Sequence, residues 1–297
     1  MPYVGRFAPS PTGPLHIGSL TTAVASYLHA KQENGEWLLR IEDIDRPREQ
    51  PGAADKIRAT LDAFKLEWDR DVFYQNTEIE SYRRVAENLI SLGLAFRCSC
   101  TRSELQINAK PGTLGIRYPG NCRMRKYHDK PTAVRVFVEP NAIVFTDGLQ
   151  GRQENHLSKL TGDYTIIRRD KLPSYNLSTV LDDASQGVTH IVRGADLLEL
   201  TSIHIHLQRT LSIQTPDYLH VPIIIDANGQ KLSKQTGAAP VVDTHAEKLA
   251  ITILAYLGLQ VPNELIGSAP NELWTWAIQH WDPKTVVNKK IIRIKSN

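Results

Sequence analysis

The sequence predicts an α/β fold in which parallel strands alternate with helices, and three observations support this prediction. Short apolar segments of strand length, such as residues 37–41, occur in the first hundred residues. Longer segments between them carry apolar residues at helical spacing. The same alternation resumes near residue 188 after an interruption. Because parallel strands need a crossover connection, this order is typical of βαβ units.

The chain opens with a short apolar segment, a stiff loop and a helix. Residues 6–19 read RFAPSPTGPLHIGS, in which three prolines restrict the loop, and a helical pattern follows to about Gln32. A loop that leads into a helix presents unpaired N–H groups and the positive end of the helix dipole, which favours an anion. Gly18 permits close approach of a ligand, and His16 adds a donor. We predict a phosphate site here; a plain strand–loop–helix connection is the alternative.

The next segment carries candidate ligand-binding carboxylates. Residues 37–41, Trp-Leu-Leu-Arg-Ile, are nearly all apolar, which is typical of a strand buried on both faces. Glu42-Asp43-Ile44-Asp45 follows directly. Open α/β sheets bind ligands at the carboxyl ends of their strands, so these carboxylates are expected near a ligand. A polar strand end that faces water is the alternative.

Two helices and a strand complete the first hundred residues. A helix with an apolar face around Leu61 comes first, and a short strand follows near residues 72–74. Thr77-x-x-Glu80 has the pattern of a capping box and predicts the start of the next helix.

All three cysteines lie in the segment where the alternation is interrupted. In a chain without a secretory signal, such clustering indicates a local metal site in a reducing compartment and not a disulfide framework. Zinc prefers four tetrahedral ligands, and Cys98, Cys100 and Cys122 supply three. The residues alone leave the fourth ligand open between His128, a water molecule and Tyr118. Free thiols are the alternative to a metal site.

The α/β pattern returns in the last part of the chain, where we predict a strand at 188–192, a helix capped by Asp196-x-x-Glu199, a strand at 221–225, and helices near 245–257 and 271–281. Lys231-Leu232-Ser233-Lys234 forms a loop whose two lysines could grip a polyphosphate, although lysine pairs are common in solvated loops. His204 and His206 have helical spacing, and we assign them to packing or surface positions.

The composition narrows the class of protein. The 297 residues are 41% hydrophobic and 23% charged, as in ordinary soluble globular proteins. Neither a secretory signal nor an apolar segment of membrane-spanning length is visible, so we expect a cytoplasmic protein without a membrane partner. The net charge of +3 permits a nucleic-acid partner without requiring one.

Two of these motifs together resemble the signature motifs of the class I aminoacyl-tRNA synthetases. His16-Ile17-Gly18-Ser19 is similar to the HIGH motif, and Lys231-Leu232-Ser233-Lys234-Gln235 is similar to the KMSKS motif. Further segments resemble the glutamyl branch of the family, namely residues 6–13, 40–45, 175–177 and 191–196. The resemblance extends from residue 3 to about residue 240.

This resemblance implies a Rossmann-like class I synthetase catalytic domain with a zinc-containing insertion and a short helical C-terminal extension. The two halves of the catalytic domain are then residues 1–97 and 166–240. The insertion, an acceptor-type subdomain, occupies residues 98–165, and the helical C-terminal region is 241–297.

The resemblance also implies the site residues. Glutamate is bound by the residues that match the family's amino-acid site: Arg6, Phe7, Ala8, Pro9, Ser10, Glu42, Tyr175 and Arg193. A substrate with two carboxylates and one ammonium needs two cationic partners and one anionic partner, which Arg6, Arg193 and Glu42 supply. Which arginine binds which carboxylate stays open.

ATP and the metal are implied in the same way. The ATP phosphates are bound by His16, Gly18, Ser19, Lys231 and Lys234, with His16 and Lys234 as the catalytic residues. Mg²⁺ is expected with ATP. The family comparison also selects Tyr118 as the fourth ligand of one structural zinc ion, beside Cys98, Cys100 and Cys122.

The resemblance, taken with the length and the cysteine pattern, also implies the acceptor. Only 63 residues follow Lys234, too few for the anticodon-binding region of a full glutamyl-tRNA synthetase. The chain therefore resembles a short paralogue that activates L-glutamate with ATP, without needing tRNA, and attaches it to the queuosine base of tRNA(Asp); we expect a monomer. One alternative is a minimal synthetase that charges a tRNA 3′ end. Another is a catalytically silent tRNA-binding paralogue, although His16, Gly18, Lys231 and Lys234 are all present.

Overall fold

The computed structural model of the protein describes residues 2–108, 110–125, 130–225, 246–286 and 290–293. The predicted lysine loop, with Lys231 and Lys234, lies outside these ranges, as does His128. Within the described ranges, no helix is both long enough and apolar enough to cross a membrane.

Strands and helices alternate over the first part of the chain as predicted. In chain order they are β1 (Val4–Phe7), α1 (Ile17–Gln32), β2 (Glu36–Ile41), α2 (Ala53–Ala63), β3 (Asp69–Tyr74) and α3 (Ile79–Ser91). β1 pairs parallel with β2, and β2 pairs parallel with β3. Neighbouring parallel strands with a helix in each connection are βαβ units, so the βαβ prediction is confirmed.

The segment that interrupts the alternation is rich in strands: β4 (Ala95–Cys98), α4 (Arg102–Asn108), β5 (Pro111–Gly112), β6 (Gly115–Ile116), β7 (Ala133–Val136), β8 (Ala142–Asp147), β9 (Gly151–His156), α5 (Leu157–Leu160) and β10 (Thr165–Ile167). β7 lies between β4 and β10 in an antiparallel sheet, and β8 and β9 form a hairpin. This sheet extends from Ala95 to Ile167, a few residues beyond each predicted bound of the insertion.

The last part of the chain contains α6 (Tyr175–Ser185), β11 (His190–Gly194), α7 (Thr201–Thr210), β12 (Asp217–Val221), β13 (Ile223–Ile225), α8 (Ala246–Tyr256), α9 (Pro270–His280) and β14 (Ile291–Arg293). β11 pairs parallel with β12. Thr189, directly before β11, donates its N–H to the Val4 carbonyl, and its hydroxyl accepts from the Val4 N–H. β11 therefore lies beside β1, and the spatial order is β3–β2–β1–β11–β12.

Three local predictions were wrong. The single strand expected at 221–225 is divided at Pro222, which has no N–H, and its two parts pair with different strands. The Thr77 hydroxyl donates to the Tyr74 carbonyl inside a 3-10 turn, so α3 begins later without that cap. Likewise, Asp196 lies in a 3-10 turn and does not cap α7.

The C-terminal helices pack mainly against α1 and reach the apolar core of the parallel sheet through tryptophans. Trp274 and Trp281 are buried in the same apolar core as Trp37. The Trp274 indole N–H donates to the Phe64 carbonyl at 2.6 Å, and that of Trp281 donates to His29 Nδ1 at 3.2 Å. A second core joins the antiparallel sheet to α3, α6 and α7, so the inserted segment is continuous with the body of the fold.

Candidate active site

A cavity of about 490 Å³ opens at the carboxyl ends of β1 and β11, where an open α/β sheet is expected to bind its ligand. Its walls come from the loop after β1, the start of α1, the start of α6 and the end of β11. Among the predicted site residues it is lined by Arg6, Phe7, Ala8, Pro9, Ser10, His16, Gly18, Ser19, Tyr175 and Arg193.

Helix α1 begins at this cavity with His16 as its N-cap. Nδ1 of His16 accepts from the Ser19 N–H at 3.2 Å, and the Ser19 hydroxyl accepts from the His16 N–H at 3.4 Å. Because Nδ1 accepts, the neutral ring carries its proton on Nε2. The serine that stands in place of the second histidine of the HIGH motif thus completes a capping box that orients the His16 ring.

Arg6 lies on β1 at the floor of the cavity and is almost fully buried. Its Nε–H donates to Oδ1 of Asp183 at 3.0 Å, and Arg40 Nη2 donates to the same oxygen at 2.8 Å. Burial opposes the charge on Asp183, but the two guanidinium groups outweigh it and hold the pKa of that carboxyl below its ordinary value. The carboxylate therefore joins β1, β2 and α6 beneath the site.

Glu42 lies beside the main cavity, in a smaller one of about 180 Å³ that shares Ser10 and Tyr175 as common walls. Its carboxylate accepts from the Thr179 hydroxyl at 3.3 Å and lies 3.7 Å from Arg40 Nη2. Burial raises the pKa of Glu42 to about 7, although Arg40 and Arg6 act in the opposite direction. The backbone N–H of Glu42 donates to the Pro9 carbonyl, which attaches this strand end to the opening loop.

Arg193 lies at the end of β11 on the other side of the cavity and is also buried. Its Nε–H donates to Nε2 of His220 at 3.0 Å, and Nη2 donates to the Thr201 hydroxyl at 2.8 Å. Nη1 lies 3.3 Å from Nδ1 of His204. His204 was assigned to packing or the surface, but it is a buried contact of a site residue.

Tyr175 is the first residue of α6, which begins after Ser174 as N-cap. Its ring centroid lies 5.6 Å from that of His204, and the side chain contributes to both cavities. Burial raises the pKa of Tyr175, with the Glu42 charge acting in the same direction, so the phenol is a neutral hydrogen-bonding group at physiological pH.

The three cysteines form a cluster that could bind a metal, with their sulfur atoms within 4.8 Å of one another. Cys100 Sγ lies 3.6 Å from Cys122 Sγ, and the Tyr118 hydroxyl lies 3.4 Å from Cys98 Sγ. Burial raises the pKa of Cys100 to about 12. Burial acts likewise on Cys122, but hydrogen bonds from the Ser99 N–H, Tyr118 and the other thiols outweigh it and lower its pKa to about 7.

Ten of the residues that line the cavity were thus predicted from the sequence as site residues, whereas the partners that orient the two arginines were not. Asp183, His220 and Thr201 each bond to a predicted arginine, and none was predicted. No local signal identifies them, because their partners lie up to 177 residues away in the chain.

Comparison with known proteins places this architecture in a family. The family model described as tRNA synthetases class I (E and Q), catalytic domain, matches residues 3–259. The fold resembles the crystal structure of a glutamate tRNA ligase from Elizabethkingia meningosepticum, with a TM-score of 0.82 over 99% of this chain and 67% of that one. At 23% identity, that likeness supports the fold alone.

Relatives of similar length share much more sequence. The glutamyl-Q tRNA(Asp) synthetase of Pseudomonas entomophila is 44% identical over 290 residues, which cover 98% of this chain and 96% of that protein. The protein of the same name from Aromatoleum aromaticum is 45% identical over 280 residues, which cover 94% and 89%. The chain therefore belongs to the class I aminoacyl-tRNA synthetases of the glutamate and glutamine type, and among them to the glutamyl-Q tRNA(Asp) synthetases.

Proposed function

We propose that this protein activates L-glutamate with ATP to glutamyl-adenylate and transfers the glutamyl group to the queuosine base of tRNA(Asp). Family membership supports the reaction. The observation that carries the substrate assignment is that Arg6 and Arg193 line one cavity while the Glu42 carboxylate lies beside it. Two cations and one anion complement the two carboxylates and the ammonium of glutamate.

The proposed roles follow from these positions. Arg6 and Arg193 each bind one carboxylate of glutamate, and the ionised Glu42 carboxylate binds the ammonium. The residues from Phe7 to Ser10 form the cavity wall between these groups. Tyr175 closes the space from the start of α6. The alpha-carboxylate of glutamate then attacks the alpha-phosphorus of ATP and pyrophosphate leaves, so positioning and charge stabilisation account for the catalysis.

His16 and the start of α1 are proposed to bind the ATP phosphates. Since the Ser19 N–H is engaged by the N-cap, the backbone N–H groups proposed to bind phosphate are those of Ile17 and Gly18, and the His16 side chain is the proposed side-chain donor. The Ser19 side chain acts by orienting His16. Lys231 and Lys234, outside the described residues, are proposed to neutralise the departing pyrophosphate, and Mg²⁺ accompanies ATP.

The acceptor is tested by offering labelled glutamate, ATP and enzyme two forms of tRNA(Asp), with and without queuosine. We expect stable transfer only to the queuosine-containing form, with the label on the modified anticodon base. Label on the terminal ribose instead would identify a minimal synthetase that charges the 3′ end. A protein that binds tRNA but forms no adenylate in pyrophosphate exchange would be the silent paralogue.

We further propose that Cys98, Cys100, Cys122 and Tyr118 hold one structural zinc ion. The donor set fits, because thiolates about 2.3 Å from a tetrahedral zinc lie roughly 3.8 Å apart, close to the 3.6 Å between Cys100 and Cys122. The Tyr118 hydroxyl completes the group at 3.4 Å from Cys98. Zinc would stabilise thiolates that burial disfavours and would tie the segment around Tyr118 and Cys122 to the end of β4.

Cys122→Ser is expected to lower bound zinc from one equivalent to near zero, because only two of the three thiolate ligands then remain beside Tyr118. Elemental analysis of the purified protein and thermal unfolding measure the effect. Met124→Ala is the matched control, since Met124 is 92% exposed two residues away and its variant should keep zinc. A metal-free wild-type protein with unchanged unfolding temperature and full activity would contradict the proposal.

A further inference from the structure

Arg193 has an unusual set of partners for a buried guanidinium. Among the described residues, no carboxylate forms an ion pair with it. Its hydrogen-bond partners are two histidines, the Thr201 hydroxyl and the Leu197 carbonyl, and its guanidinium lies 5.4 Å from the centroid of the Tyr218 ring. Arg6, across the cavity, is instead paired with Asp183. Since a buried charge without a counter-ion is costly, the lack of a carboxylate partner in the described part of the chain favours an anionic ligand beside Arg193.

The hydrogen bonds of Arg193 determine the protonation of both histidines. A guanidinium only donates, so Nε2 of His220 and Nδ1 of His204 must both accept. The proton of His220 is therefore on Nδ1, which donates to Oδ2 of Asp147 at 2.6 Å. Burial lowers the pKa of both histidines, which keeps them neutral.

Asp147 fixes the tautomer of His220 without neutralising Arg193. It ends β8, in the inserted hairpin, and its other oxygen accepts from the backbone N–H groups of Leu149, Gln150 and His220. The three backbone N–H groups and the imidazole N–H compensate the negative charge of Asp147. Arg193 and His220 occupy partner positions on the parallel strands β11 and β12, so the order Asp147–His220–Arg193 runs across the sheet into the cavity.

We propose that Asp147 and His220 are positioning residues for Arg193. Asp147 keeps the His220 proton on Nδ1. The Nε2 lone pair, which also lies 3.1 Å from the Thr201 hydroxyl, then accepts from Arg193 Nε and holds the guanidinium in the orientation that binds a substrate carboxylate. The inference rests on the proposed function, in which glutamate occupies this cavity. It gives the inserted hairpin an indirect role in amino-acid binding, through His220 and Arg193.

Asp147→Asn tests the tautomer. The amide oxygen is expected to stay on the three backbone N–H groups, so the amide N–H₂ faces His220 and donates to Nδ1. The His220 ring proton then moves to Nε2 and faces the Nε–H of Arg193, so Nε2 no longer accepts this hydrogen bond. Loss of this acceptor should raise KM for glutamate by roughly 10–100-fold in pyrophosphate exchange, while KM for ATP changes little.

The direct readout is ¹⁵N NMR of the histidine ring, with the proton on Nδ1 of His220 in the wild type and on Nε2 in the variant. Glu154→Gln, an exposed change in the same hairpin, is the control and should match the wild type. A shifted tautomer with unchanged KM for glutamate would overturn the proposal, as would a wild-type proton on Nε2. If the wild type activates another amino acid, the proposed function fails while the tautomer result stands.

A second pair of variants separates positioning from folding. His220→Gln places an amide oxygen near the position of Nε2, whereas His220→Leu offers no acceptor. We expect a smaller rise in KM for glutamate with glutamine than with leucine at this position. Equal KM values in two folded variants would contradict the role of the Nε2 lone pair.

Discussion

Asp183→Asn is expected to destabilise the folded protein by about 3–5 kcal/mol, the scale for removing one partner of a buried ion pair. Oδ1 of Asp183 accepts from both Arg6 and Arg40, and all three side chains are almost fully buried. The neutral amide introduced by Asp183→Asn would no longer balance the positive charges of Arg6 and Arg40 in this low-dielectric part of the protein. Urea unfolding at pH 7 measures the loss.

The pH dependence of that loss has a definite sign. The pKa of Asp183 is lowered in the folded state, so its contribution is present above its unfolded pKa, near 3.8, and is lost as the pH falls through the folded value. The wild type and Asp183→Asn should therefore converge in acid. Asp55→Asn is the control, because its pair with Arg58 is exposed and is worth at most about 1 kcal/mol. Equal stabilities for the two variants at pH 7 would contradict the network.

The same carboxylate explains how the amino-acid site is assembled. Arg6 comes from β1, Arg40 from β2 and Asp183 from α6, so one acceptor sets the relative positions of three elements. Burial disfavours the charge on Arg40, but Asp183, Glu42 and Asp182 outweigh it and hold its pKa above the ordinary value. The charges proposed to bind glutamate thus rest on buried charges from β2 and α6.

Elements with a strong apolar pattern could be predicted from the sequence. The α1 helix, the β2 strand and the C-terminal helices α8 and α9 each have one, and each lies close to its predicted position. Helix α6 was missed because its buried face is largely polar, with Ser178, Thr179, Asp182 and Asp183 beside two apolar residues. Periodicity of apolar residues cannot detect such a face.

Short capping patterns were less informative than apolar periodicity. Thr77-x-x-Glu80 and Asp196-x-x-Glu199 both fit a cap, yet each precedes its helix by a 3-10 turn. At the site, residue type and family resemblance led to the prediction of the arginines and Glu42 as glutamate-binding residues, because a dicarboxylic amino acid needs two cations and one anion. Their orienting partners depend on contacts between distant strands and helices, which local spacing does not encode.

Glu42→Gln is expected to lower kcat/KM for glutamate in pyrophosphate exchange by roughly 10²–10³-fold, because the substrate ammonium loses a buried, charged partner. In the wild type, kcat/KM should rise with pH through about 7, as Glu42 ionises to the form that binds ammonium. The variant should lack this limb of the pH profile. Glu80→Gln, an exposed change on α3, should keep both the rate and the profile.

Stability should change in the opposite direction to activity. Because the folded-state pKa of Glu42 is raised from 4.5 to about 7, the stability it contributes is complete below pH 4.5 and is lost as the pH rises through 7. At pH 8 the ligand-free wild type holds a buried carboxylate that burial disfavours, whereas glutamine is neutral. We therefore expect Glu42→Gln to be about 1–3 kcal/mol more stable than the wild type at pH 8, with the difference vanishing in acid. A Glu42→Gln variant that is both inactive and less stable at pH 8 would indicate that Glu42 supports the fold. A variant that is inactive but more stable would indicate that the Glu42 charge lowers stability and is needed to bind the substrate.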